Sequence, residues 1–207
     1  MKIVMIVKTP RTERTIKMES YSIGKEKSFI KITYPKKDAG ITFLKVDKQM
    51  WQYVPRIEKI IKIPASMMLQ GWMGSDFTND DLVRESSISE DYHSKLINED
   101  DKCYEIELIP KEDAAVVWGK IIMMVDKNIY LPTAVSYYDE DDVLIRVLYY
   151  NDVKNFSGKL YPSRWVVEPK TADKSGHQTI MEVDDVVFDQ EIDANYFTKR
   201  ALKRFSN

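Results

Sequence analysis

The residues able to do chemistry are few and scattered. The chain has two histidines, His93 and His177, and one cysteine, Cys103. Neither histidine sits in a metal-spaced cluster. Asp91 and His93 supply at most two ligands, where a metal site needs three or four that converge. A Cys103–His nucleophile pair has no supporting pattern around it. No G-x-S-x-G elbow and no glycine-rich phosphate loop occurs. Asp76, Asp80 and Asp81 could be read as paired carboxylates, but they fall where a short helix should start, and acids there cap and complement the helix dipole. Asp139–Glu140–Asp141–Asp142 reads as a solvated turn. An enzyme acting on a lipid through Asp76, Asp80, Asp81 or His93 would need those side chains in one pocket. The expectation is no catalysis, no metal and no cofactor.

One stretch is unusual in another way. Residues 65–77 hold Met67, Met68, Leu69, Trp72, Met73 and Phe77 among small and polar residues. Two readings stand side by side: a loop packed over a sheet as ordinary core, or an apolar lid over a lipid-binding concavity. Methionine suits the second, because a thioether chain repacks around ligands of different shape. Of ten methionines, Met50, Met67, Met68, Met73, Met123 and Met124 fall in two regions.

The elements that must position this stretch are mostly strands. Residues 1–8 are apolar on both faces and read as a doubly covered strand. Further strands are expected over 14–23, 28–34, 41–46, 50–54 and 57–63. In the second of these, 28–34, Ile30, Ile32 and Tyr34 face one way and Phe29 is the exception. A helical turn or two is expected over 79–85, with Thr78 or Asn79 as N-cap. A weak strand over 91–97 follows. In 103–109, Tyr104, Ile106 and Leu108 alternate with Glu105 and Glu107. Residues 116–125 are nearly all apolar and must be covered on both faces. Strands over 130–138, 143–150, 160–168 and 177–188 are joined by Asp-, Asn- and Gly-rich turns. A short helix is expected over 193–204. The fold class is mainly β: a curled antiparallel meander with few helices, in one domain spanning 1–207.

Bulk properties narrow the function. The chain has 207 residues, 43% hydrophobic and 31% charged, and its net charge is −2. Near-balanced charge argues against duplex nucleic acid as partner. No run approaches the ~18 apolar residues of a membrane-spanning helix. The five apolar residues Ile3–Val7 fall short of a signal-peptide core. A lone cysteine allows no intrachain disulfide.

Several motifs resemble one family. These are Trp51-Gln52-Tyr53-Val54-Pro55 with Arg56, Ile57 and Lys59, then Ile63-Pro64-Ala65-Ser66, then the run from Trp72 through Met73-Gly74-Ser75-Asp76-Phe77 to Leu82. Tyr149–Val153, Tyr161–Arg164 and the ending Phe197-Thr198-Lys199-Arg200-Ala201-Leu202-Lys203-Arg204 agree as well. Together they resemble the outer-membrane lipoprotein-sorting proteins of the LolA-like superfamily, over essentially the whole chain. The family's signal peptide and the amphipathic helix before its first strand have no counterpart here. The resemblance implies a half-open, strongly curved antiparallel β-barrel whose mouth is plugged by helices and loops over an apolar cavity. It implies a non-catalytic periplasmic carrier of the acyl chains of lipoproteins, of phospholipid or of fatty acid. Handover partners would be an inner-membrane transporter and an outer-membrane acceptor, and an N-terminal lipid could anchor the mature protein. A sensor or interaction module of the same fold is the alternative. The candidate cavity residues are Trp51, Tyr53, Met67, Met68, Trp72, Met73, Phe77, Tyr104, Ile106, Leu108, Trp118, Ile122 and Met124. Register decides that set, since a slip of one residue moves a side chain to the other face.

Overall fold

Strand backbones demand hydrogen-bonded neighbours on both edges, and a long meander supplies them. The computed structural model describes residues 1–84, 88–114 and 116–206. Its strands are β1 (Lys2–Lys8), β2 (Glu13–Ile23), β3 (Lys27–Tyr34), β4 (Thr42–Val46), β5 (Gln49–Val54), β6 (Lys59–Lys62), β7 (Tyr92–Glu99), β8 (Cys103–Pro110), β9 (Lys120–Asp126), β10 (Pro132–Tyr138), β11 (Leu144–Phe156), β12 (Lys159–Pro169) and β13 (Gln178–Asp185). They form one sheet in the order β6-β5-β4-β3-β2-β1-β13-β12-β11-β10-β9-β8-β7, which is not closed. The ladders from β2 to β6 and from β7 to β12 are antiparallel. The helices are α1 (Asn79–Arg84), α2 (Ile88–Asp91) and α3 (Lys199–Arg204). The expected helix over 79–85 is α1, and Glu85 lies outside the described residues. Contacts divide the chain into two units, residues 1–6, 14–86 and 182–207, and residues 7–13 and 87–181.

In the first unit the sheet is covered on both faces. Cross-strand partners share a face, and the register places Phe29, Leu44 and Trp51 opposite one another in β3, β4 and β5. Tyr21 joins that face opposite Phe29. A short 3₁₀ turn, Ala194–Phe197, and α3 bring Phe197, Ala201 and Leu202 down on it, forming one core with Trp51 and Tyr53. This is why Phe29 broke the alternation expected for β3: its face has its own cover. The expected single helix over 193–204 is interrupted because Thr198 is extended and caps α3, its hydroxyl accepting from the Ala201 amide at 3.3 Å. Gly40, at φ +83°, admits the chain end: a Cβ there would lie 2.7 Å from the Ser206 carbonyl oxygen. The other face carries Met18, Ile30, Ile32, Phe43 and Met50, all buried.

Two of the strands that are shorter than expected have local causes. Pro55–Ile57 is a 3₁₀ turn closed by Glu58 in the left-handed region, so only Lys59–Lys62 remains extended. Residues 116–119 are not strand. The Gly119 amide donates to the Tyr138 carbonyl at 3.0 Å, and a Cβ on Gly119 would sit 2.5 Å from the Asp139 carbonyl oxygen. That close approach requires glycine and ends β9 early, against an apolar composition that reads as strand.

The second unit's meander, β7 to β12, also has two distinct faces. Leu96, Ile106, Met123, Val135, Leu148 and Val167 pair in succession across its six strands. The opposite face carries Glu105 and Glu107 against Met124 and Ile122.

Candidate functional site

Residues 65–82 fold as a small, internally bonded plug. The Trp72 amide donates to the Phe77 carbonyl at 2.7 Å. The Ser75 hydroxyl donates to the Trp72 carbonyl at 2.7 Å and accepts from the Phe77 amide at 3.2 Å. The Asn79 and Asp80 amides reach back to the carbonyls of Gln70 and Met68, and the Asn79 side chain donates to that of Met67. Thr78 and Asp81 cap α1 reciprocally: the Thr78 amide donates to Asp81 Oδ2 at 2.6 Å, and the Asp81 amide to Thr78 Oγ1 at 3.2 Å. Asp81 thus caps the helix, as its position suggested.

Two contacts seat the plug on the sheet of the first unit. The Trp72 ring, 1% exposed, meets Phe43 edge-on with centroids 5.3 Å apart. The Arg14 guanidinium donates to the Met73 carbonyl. Met73 takes φ 51°, a conformation sparsely used by residues with a Cβ. The Trp72 indole N–H is buried without a hydrogen-bond acceptor among the described residues.

The residues singled out from the sequence do not share one space. Trp51 and Tyr53 lie on the α3-covered face, whereas Trp72 packs on Phe43, which faces the other way beside Gln52. Phe77 is buried and bonded to Trp72, Met67 and Met68 are half-buried, and so is Met73. In the second unit Tyr104, Ile106 and Leu108 share a face, and the β9 residues opposite Ile106 and Leu108 are Met123 and Ile121. Ile122 and Met124, chosen from the sequence, point to the Glu107 and Glu105 side instead. That one-residue correction has a simple cause: β9 is apolar at every position from Ile121 to Val125, so alternation carries no phase. Trp118 lies in the irregular segment before β9, 5.1 Å from the Tyr137 ring. Arg146, which the sequence did not flag, stacks on both rings, 4.7 Å from Trp118 and 4.4 Å from Tyr137.

The face of Ile106 grades from open to closed. Leu96 is 52% exposed, Ile106 and Met123 are half-buried, and Val135, Leu148 and Val167 are buried. Tyr104 and Val125 extend it, both half-buried. In the first unit a cleft of about 570 Å³ is lined by Glu19, Tyr21, Ile23, Asp185, Phe188 and neighbours, and by none of the residues expected from sequence. There desolvation, with the Glu19 carboxylate next, pushes the Tyr21 phenol up to about 12.

Among the groups able to do acid–base or nucleophilic work, Cys103 is not activated. Desolvation and the Asp100 carboxylate push the Cys103 thiol up, the reverse of an activated nucleophile. His93 is exposed on β7, and His177 precedes β13. Asp76, Asp80 and Asp81 belong to the first unit and His93 to the second. Among the described residues no group of three or more His, Cys, Asp or Glu side chains could hold a metal ion. Among those residues, too, no helix is long and apolar enough to cross a membrane.

A family model described as "uncharacterized protein"-like matches residues 24–204. The chain belongs to that family. No curated protein matches it. Solved structures do. A DUF1329 family protein from Desulfovibrio piger is 23% identical, with a TM-score of 0.89 over 97% of this chain and 89% of its own. A domain described as an outer membrane lipoprotein-sorting protein, from Vibrio parahaemolyticus, is 22% identical at a TM-score of 0.85, covering 98% of this chain and 90% of its own. A LolA superfamily protein from Nitrosomonas europaea is 23% identical at 0.78, covering 97% and 89%. The fold is therefore LolA-like. The half-open barrel expected of that superfamily agrees with a thirteen-stranded antiparallel sheet whose end strands, β6 and β7, do not pair.

Proposed function

We propose that the protein is a non-catalytic periplasmic carrier that binds the acyl chains of lipoproteins or lipids for transport to the outer membrane, with both units forming one carrier domain. The observation that carries this reading is the apolar stripe Leu96–Ile106–Met123–Val135–Leu148–Val167, half-open at one end. At ~4.8 Å per strand the stripe runs for about 24 Å. Its open part, Leu96 to Met123, spans about 10 Å, and the buried half must be uncovered before a chain can lie along it. Hiding a ~16-carbon chain from water is worth at most ~12 kcal/mol at ~0.8 kcal/mol per CH₂. Such a chain does not cross an aqueous space unaided, so a carrier must offer it a dry surface. The lipoprotein-sorting description of the Vibrio parahaemolyticus domain supports the same reading and the periplasmic setting. An inner-membrane transporter and an outer-membrane acceptor are the handover partners it entails.

In this mechanism Tyr104, Ile106, Leu108 and Trp118 contact the chain, joined by Ile121 and Met123 in place of Ile122 and Met124. Release needs no chemistry, only a competing apolar surface. Displacement of a fluorescent fatty acid tests the face assignment. Met123→Asp puts a charge in the stripe and lowers affinity roughly hundredfold, because a carboxylate desolvated beside the chain costs several kcal/mol. Met124→Asp, on the Glu105 side, stays within about threefold of wild type. Equal effects of the two substitutions contradict the reading.

A further inference from the structure

Cations are concentrated in one part of the first unit, although the whole chain carries a net charge of −2. Residues 194–207 contain four bases and no acid, and residues 55–63 contain three bases and one acid. The fold brings these two segments together. The Lys199 ammonium lies 4.6 Å from the centre of the Trp51 ring and the Lys62 ammonium 5.9 Å from it. A Cβ on Gly40 would touch both Ser206, beyond α3, and Pro55, at the start of the 3₁₀ turn.

Because α3 buries Ala201 and Leu202, its four bases, Lys199, Arg200, Lys203 and Arg204, are all exposed. Lys203 and Arg204 sit in the last turn, where a cation complements the helix dipole. Lys199 and Arg200 sit in the first turn, where the same dipole opposes a cation. Helix stability thus accounts for two of the four and works against the others. Beside them lie exposed aliphatic side chains: Ile57 is 49% exposed and Ile60 43%. Cations fixed at a surface and flanked by aliphatic groups match an interface of anionic headgroups over hydrocarbon.

We propose that the surface formed by α3, the 55–57 turn and β6 docks on a membrane rich in anionic phospholipid. This goes beyond the carrier reading and does not depend on it. The attraction is electrostatic at first contact, with Ile57 and Ile60 entering the headgroup layer.

The test is co-sedimentation of the full chain with phosphatidylglycerol/phosphatidylcholine vesicles and with pure phosphatidylcholine vesicles. Binding to the anionic vesicles is expected near 0.01 M salt, where the Debye length is ~30 Å, and its loss is expected near 1 M, where it is ~3 Å. Each base near an anionic surface is worth about fivefold in partitioning. Arg200→Glu with Lys203→Glu should therefore lower partitioning by more than about twentyfold, while fatty-acid binding is unchanged. If circular dichroism shows that pair unfolded, Arg200→Gln with Lys203→Gln must still lower it about tenfold or more. Equal binding to neutral vesicles, no binding to anionic vesicles at low salt, or wild-type partitioning by a folded variant overturns the proposal. Binding only to an acidic protein surface and not to vesicles overturns it as well. Loss of fatty-acid binding with vesicle docking intact would instead count against the carrier reading alone.

Discussion

Trp72 offers a sharp test of how the plug is held. Its side chain is 1% exposed and meets Phe43 edge-on, while its indole N–H has no acceptor among the described residues. Truncation to alanine removes a large buried ring, which costs ~3–5 kcal/mol in a core that relaxes only in part. Substitution by phenylalanine keeps a ring to meet Phe43 and removes the unsatisfied donor, whose burial costs ~1–3 kcal/mol. That gain offsets most of the area lost, so Trp72→Phe should lie within about 1 kcal/mol of wild type. The assay is urea denaturation at constant m. With m of ~2–3 kcal/mol/M, Trp72→Ala lowers the midpoint by about 1–2 M and Trp72→Phe by less than about 0.5 M. A double-mutant cycle with Phe43→Ala should return a coupling of ~0.5–1.5 kcal/mol for the ring pair. A Trp72→Phe variant as damaged as Trp72→Ala refutes the reasoning, because the N–H must then have a partner that holds the plug.

Gly119→Ala places a Cβ 2.5 Å from the Asp139 carbonyl oxygen, so the turn must shift. It should destabilise by ~1–3 kcal/mol, read as a lower denaturation midpoint. Tyr21 should titrate near 12 by its phenolate absorbance, against an ordinary value of 10.0. Because folding raises that pKa, the stability it contributes is fully present below about pH 10 and is lost as pH rises through about 12. Tyr21→Phe should therefore flatten the fall in midpoint over that window, and an unchanged slope contradicts the assignment.

Much of the fold was legible because local chemistry was unambiguous. Asp-, Asn- and Gly-containing turns fixed the meander, and Thr78 with Asp81 announced the start of α1. The alternation of Tyr104, Ile106 and Leu108 with Glu105 and Glu107 gave the correct faces of β8. The candidate site was legible only by segment. Ile121–Val125 is apolar throughout, so the sequence held no phase for β9, which is read from its pairing with β8. That register assigned Met123 rather than Met124 to the stripe. Trp51 and Tyr53 read as cavity wall because the cover over them, Phe197 to Leu202, lies about 150 residues downstream. Arg14 and Arg146 gave no local signal, since what each touches is set by tertiary contact.

Native mass spectrometry of the gently purified full chain tests the central claim most directly. The account predicts a one-to-one adduct of acyl-chain mass that organic extraction removes, and its replacement when fatty acid is added back. A bare-chain mass throughout, with no uptake of fatty acid at concentrations well above micromolar, would contradict it.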